Sequence, residues 1–151
     1  MKNLLLLTTI LFNIAFVFAQ DTQDTEKNIT DGSISTLADL QWLSENPDAW
    51  DENWVLEADI DASETATWNG GLGLSPIGDS PTEFGVRQQI PFSGTFDGQG
   101  YVISNITINR PSEPYVGFFG QTENGTVQNL GLENITVNGY RYVGGLIGYS
   151  S

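Results

Sequence analysis

The sequence predicts an all-β fold: the start of a right-handed parallel β-helix, a solenoid, closed on its N-terminal side by a short capping α-helix. Three observations predict it. The last third of the chain, 92–151, is dense in glycine and β-branched residues and says nearly the same thing twice. Its short apolar runs are separated by turn pairs such as Asp97-Gly98, Glu123-Asn124-Gly125 and Asn138-Gly139, with no helical pattern between them. Upstream, one stretch of near-helical spacing follows a cap signal.

Ile103-Ser104-Asn105-Ile106-Thr107-Ile108 is echoed by Val127-Gln128-Asn129-Leu130-Gly131-Leu132, 24 positions on. Tyr115-Val116-Gly117 recurs as Tyr142-Val143-Gly144 after 27 positions, and Gly120 recurs as Gly148. A period of this size is the signature of stacked repeats, because one such segment cannot bury its apolar face alone. Stacking like on like would set Ile103 under Val127, Ile106 under Leu130, Ile108 under Leu132 and Val116 under Val143. Asn105 and Asn129 would then form an amide ladder along the axis, with ligand binding as their alternative role.

The remaining elements follow in order. Residues 1–19 have a basic start, an apolar run and a small residue at the end; they read as a secretory signal peptide cut before Gln20. Residues 20–33 form a polar, acidic, flexible leader. Residues 34–91 are an N-terminal cap. Thr36 with Asp39 approximates a capping box, Leu37, Leu40, Trp42 and Leu43 follow at helical spacing, and Asn46-Pro47 ends the helix. Trp54 to Ile60 alternates as one strand, and Pro76-Ile77-Gly78 suits a corner. Residues 79–91 read as a long exposed connection. Residues 92–151 carry the repeats.

Composition narrows function. Five basic residues stand against nineteen acidic ones, a net charge of −14, so a phosphate backbone is repelled and no nucleic-acid partner is expected. No polybasic patch invites membrane insertion once the signal is removed. Histidine and cysteine are both absent, which excludes Ser–His–Asp and Cys–His nucleophiles and zinc sites built on those ligands. No cofactor is expected, and no enzymatic activity.

Weaker candidates are set beside structural readings. Asp59, Asp61 and Glu64 form a compact acidic cluster that calcium could use, but strand-end charge explains it and no metal is assigned. Trp42, Trp50, Trp54 and Trp68 offer either a glycan platform or a closure for the solenoid's end. Asp97 lacks the second carboxylate that glycoside hydrolysis needs. Arg110 and Arg141 fall near equivalent places in the repeat. Asn28, Asn105, Asn124 and Asn134 each head an Asn-x-Thr sequon.

Gly145-Leu146-Ile147-Gly148 matches the core of the GLUG motif, and Gly117-Phe118-Phe119-Gly120 is a degenerate copy. With the ordered blocks upstream, from about residue 36, the chain resembles GLUG-motif repeat proteins. Members of that family are large exported bacterial proteins, including adhesin-like surface proteins and secreted metallopeptidases that carry the repeats apart from their catalytic domain. The resemblance implies a secreted or cell-surface scaffold with no catalytic residues to carry over. Its partners would be the rest of a longer chain and an extracellular protein or glycan. The alternatives are a glycan-binding module or an accessory region of a larger secreted enzyme. Only about one and a half repeats are present, so the sequence reads as the N-terminal part of a longer protein; a stop codon directly after Ser151 in an intact gene would count against this.

Overall fold

The computed structural model describes residues 32–78, 80–81, 87–88 and 90–151. The expected signal peptide and most of the expected acidic leader, with the sequon at Asn28, lie outside the described residues.

The folded part opens with strand β1 (Ser33–Ile34) and helix α1 (Leu37–Glu45). The cap that sets the helix start is complete: Thr36 Oγ1 accepts from the Asp39 amide, and Asp39 Oδ2 accepts from the Ser35 and Thr36 amides. Aspartate here does the work usually given to glutamate, and reaches two donors instead of one. At the other end Pro47 starts a 3-10 turn (Pro47–Ala49), and freed carbonyls are taken up locally. Asn46 Nδ2 donates to Trp42 O at 2.6 Å and Trp50 Nε1 to Leu43 O at 2.8 Å. Leu40 and Leu43 are fully buried, so a helix too short to persist alone is held by docking.

Beyond the helix the chain makes three passes along the same route. The first contains β2 (Asn53–Leu56), β3 (Ile60–Asp61) and a 3-10 stretch (Ser63–Gly71). A small antiparallel pair follows, β4 (Ser80–Pro81) and β5 (Arg87–Gln88). The second pass contains β6 (Thr95–Asp97), β7 (Val102–Ser104), β8 (Thr107–Val116) and β9 (Phe119–Thr122). The third contains β10 (Thr126–Gln128), β11 (Gly131–Glu133), β12 (Thr136–Val143) and β13 (Ile147–Ser150). Every strand of the third pass pairs in parallel with its counterpart in the second: β10 with β6, β11 with β7, β12 with β8, and β13 with β9. β2 and β3 pair in parallel with β6 and β7, and Ile77 makes a parallel bridge to Phe119. The result is a mostly β chain of small parallel sheets.

The register differs from the one expected at 24 positions. Phe96 lies beside Val127, Ile103 beside Leu132 and Ile108 beside Val137, which are separations of 31, 29 and 29. Val116 does lie beside Val143, at 27. The separation changes at the corner between β6 and β7 and again inside the β8–β12 ladder, whose register shifts between Gly139 and Arg141. Gly98–Tyr101 turn the corner between β6 and β7, whereas Asn129–Leu130 suffice between β10 and β11. The true echo is Asn105-Ile106-Thr107 with Asn134-Ile135-Thr136. Asn105 and Asn129 therefore sit at different corners, and the expected amide ladder between them does not form. Arg110 pairs with Gly139 and Arg141 with Pro114, so the two arginines are not equivalent either.

One further expectation changes. The run from Trp54 to Ile60 is two strands, because the chain turns at Glu57–Asp59 while its alternation happens to continue through the bend. The connection expected at 79–91 lies largely outside the described residues. Ile77 and Phe92 bridge Phe119 and Thr122, so fifteen positions of the first pass span what three cover in the second.

Inside, Phe92, Phe96, Phe118 and Phe119 are fully buried and meet ring to ring at 4.9–5.9 Å. Ile103, Ile106, Ile108 and Val116 extend this core along the second pass. The corner glycines are there for space. A Cβ on Gly117 would lie 2.8 Å from the carbonyl oxygens of Gly144 and Phe119, both rigid backbone.

Two substitutions test this packing by denaturant unfolding. Phe96→Ala should cost about 3–5 kcal/mol by opening the aromatic core, and Gly117→Ala about 1–3 kcal/mol by overpacking the corner. Unchanged midpoints in both would contradict the arrangement.

Candidate functional site

Polar side chains concentrate at the corners, where the backbone leaves the ladders. Asp61, at the end of β3, accepts from the Ser63 amide at 3.0 Å and from Asn105 Nδ2, one pass on, at 2.9 Å. Asp97, at the end of β6, accepts from the Gln99 amide at 2.9 Å. From the following pass it also accepts Asn129 Nδ2 at 3.0 Å and Gln128 Nε2 at 2.8 Å. One device is thus used twice: an aspartate ends a strand, ties its own turn and clamps an asparagine of the next pass. Asn105 and Asn129 both have positive φ, at 61° and 53°, a conformation asparagine tolerates better than most residues. This is what those two residues do, together with the sequon residues Asn124 and Asn134, which share the conformation at 56° and 50°.

Hydrogen bonds hold both carboxyls below the ordinary aspartate value of 3.8. For Asp61 the Asn105 amide contributes most, then the Ser63 amide; for Asp97 the Gln99 amide leads, then Asn129. Asp59 is occupied separately, accepting from the Val102 amide at 2.8 Å. Asp59, Asp61 and Glu64 do not converge, and among the described residues no three acidic side chains gather as a metal site.

The tryptophans do not form a platform. Trp50 and Trp54 are only 1% and 3% exposed, and their Nε1 atoms donate to Leu43 O and Ala49 O. Trp42 leans on Trp54 at 5.9 Å, and Trp68 is half-buried against the core. With the faces of Trp50 and Trp54 inside, the expected four-ring glycan contact is corrected to a closure of the core beneath α1.

The exposed aromatic surface lies elsewhere, on tyrosines. Tyr115 and Tyr142 stack across neighbouring passes with ring centres 4.9 Å apart and planes 9° apart. Tyr149 meets both edge-on at 5.9 and 5.5 Å. The exposed Arg141 guanidinium lies 5.6 Å from the Tyr140 ring centre and 5.7 Å from that of Tyr142. Tyr140, Tyr142 and Tyr149 are 65%, 46% and 42% exposed. Arg110 has a different fate: buried, it pairs with Glu113 at 3.2 Å and donates to Ser75 Oγ. Sequence reasoning used Tyr115 and Tyr142 only as repeat markers. The signal that could have singled them out is a tyrosine repeating immediately before Val-Gly in both copies.

Beside Gln121, the ladder partner of Tyr149, sits an unusual polar atom. Gln121 is 7% exposed and its Nε2 has no hydrogen-bond partner among the described residues. Of the motif residues, Phe118 and Phe119 are core, Gly117 and Gly120 are buried beside them, and Ile147 packs half-buried against Phe119's strand. Gly148 is also half-buried, and Gly145 and Leu146 are more exposed. Concavities lie elsewhere on the molecule. One of about 670 Å³ is lined by Val55, Leu56, Glu57, Gln99 and Tyr101; another, about 290 Å³, lies around Trp50 and Ile90. Among the described residues no helix is long and apolar enough to cross a membrane.

No protein-family model matches the chain, and no solved structure matches it. It is similar to a protein named halomucin from Haloquadratum walsbyi, 36% identical over 121 residues, which is 78% of this chain and about 1% of that protein. It is also similar to a protein described as a Gly-rich membrane protein from Evansella cellulosilytica, 42% identical over 73 residues, 46% of this chain and 8% of that one. The chain therefore spans a very small part of both relatives' length.

The aspartate clamps predict an acid-sensitive component of stability. Their folded pKa lies below the unfolded value, so the contribution is present above about pH 4 and is lost as pH falls through the folded value. Thermal melts between pH 5 and pH 2 should show a smaller acid loss for Asp97→Asn than for the parent chain; parallel curves would remove Asp97 from that role.

Proposed function

We propose that the chain is the N-terminal part of an exported repeat scaffold. It is the opening of a right-handed parallel β-helix of the GLUG-motif kind, within a larger surface or secreted adhesin-like protein. Its role is structural and interactive, not catalytic. The observation that carries this reading is the register. The second and third passes lay strands on the same four ladders in the same order, in parallel, and β2 and β3 of the first pass extend two of those ladders, so added passes would set length without changing cross-section.

Three further observations support it. α1 and the buried tryptophans cover the first pass, whereas the third pass keeps Val127, Leu132, Val137 and Ile147 only half-buried, like a layer prepared for another. Both relatives are far longer than the stretch they share with this chain, which fits a repeated module. The names halomucin and Gly-rich membrane protein favour the cell exterior, as does the secretory signal expected at the N-terminus. A surface with a net charge of −14 suits a solvated extracellular protein.

Hydrogen exchange tests the architecture. Amides of β6 to β9, paired on the side of the third pass, should outlast those of β10 to β13; uniform protection would contradict a graded stack. Limited proteolysis of intact cells tests the location: the chain should be cleaved without lysis, and protection until lysis would overturn the surface reading.

A further inference from the structure

We infer that the tyrosine–arginine patch formed by Tyr115, Tyr140, Arg141, Tyr142 and Tyr149 binds saccharide. A pyranose ring would lie against the exposed tyrosine faces, with an acceptor on its rim received by Arg141. This goes beyond the scaffold reading and needs only the second and third passes to be folded.

The arrangement of the rings is the first argument. Tyr115 and Tyr142 are parallel and Tyr149 stands at 73° and 68° to them, so the three make a corner with one flat face and one edge. Monomeric proteins rarely leave such area uncovered without a use for it. Tyrosine brings a flat apolar body with a hydroxyl at its rim, matching a ligand that has apolar C–H faces and a polar perimeter.

The backbone is the second. Tyr115 and Tyr142 both have left-handed φ, 59° and 52°. Bulky side chains pay about 1–3 kcal/mol to be held there. Other positions with positive φ use asparagine, glutamine or glycine: Asn105, Asn129 and Asn134, with Gln99 and Gly100. A left-handed position needs no ring, yet this one, the last but one residue of β8 and of β12, keeps a tyrosine in both passes.

Charge is the third. Arg141 has no acidic partner among the described residues, although the chain carries nineteen acidic side chains. Its guanidinium is spread between two rings and keeps its outer donors free for an acceptor. A long polyanion is disfavoured by the net charge of −14, and a purely apolar peptide segment would bury the guanidinium unpaired. A sugar avoids both costs.

The acceptor on the ring can be a neutral hydroxyl or a uronate carboxylate, and two probes separate them. The full chain would be titrated with cellohexaose and with an oligogalacturonate while the tyrosine ring protons are followed by NMR. Saturable shifts confined to these tyrosines are expected with at least one probe, at about millimolar affinity. Arg141→Ala should weaken uronate binding about tenfold and cellohexaose binding less; Tyr142→Ala should abolish both. If Tyr142→Ala does not fold, Tyr140→Ala, at a much more exposed side chain, takes its place and should weaken binding. Absence of any shift up to about 10 mM of both probes would overturn the proposal, as would binding that Arg141→Ala and Tyr140→Ala leave unchanged. Neither negative result touches the scaffold reading, which stands or falls on the exchange pattern.

Discussion

Everything in this molecule depends on backbone groups finding partners in the neighbouring pass. A parallel strand of three or four residues has almost no stability alone, and buried N–H and C=O groups cannot be left unpaired. Each pass must therefore keep step with the last wherever it forms a ladder. Where the first pass fails to offer a strand, side chains substitute for it. The Val102 amide donates to Asp59 Oδ1 and the Thr107 amide to Thr65 Oγ1, while the Leu74 amide donates to Thr107 O. The 3-10 stretch Ser63–Gly71 can replace a strand because Thr65 is buried there with its hydroxyl turned to that duty.

The same constraint explains where length varies. A single residue added within a ladder would turn the following side chains inside out, so additions fall at corners or, in the β8–β12 ladder, as a two-position register shift between Gly139 and Arg141. The hairpin of β4 and β5 is the largest, placed between Ile77 and Phe92, and both flanking residues return to their bridges with the second pass. Corners also collect the left-handed residues and the aspartate clamps. At the Tyr115–Tyr142 pair the ring stack returns about 0.5–1.5 kcal/mol, which offsets only part of the conformational strain.

Much of this was legible in the sequence, for identifiable reasons. Thr36, Asp39 and Pro47 are local signals whose meaning does not depend on the rest of the fold, and they delimited α1 correctly. Tyr-Val-Gly gave the true partner of Val116 because both copies lie beyond the register shift between Gly139 and Arg141, where β8 and β12 are in step again. The 24-position match went astray because Asn129 resembles Asn105 in residue type and backbone conformation while occupying the equivalent of the preceding corner. Apolar alternation cannot report a bend whose residues happen to preserve it, which is why Trp54 to Ile60 read as one strand. The tryptophans misled for a similar reason: composition shows large rings, and only packing shows which way they face.

An interior that must repeat has little freedom to specialise. Phe96, Val127, Ile103 and Leu132 are chosen for volume and for the ladder they stand on, and an equivalent residue would serve in any pass. Corner side chains answer to no such rule once their backbone turn is satisfied. An asparagine at a corner is sufficient for the fold, as Asn105, Asn129 and Asn134 demonstrate. A tyrosine with an arginine beside it exceeds that requirement and carries a conformational cost. In a stacked architecture the surplus is therefore more informative about function than the repeat itself, and here the surplus is the aromatic corner, not the Gly145-Leu146-Ile147-Gly148 core.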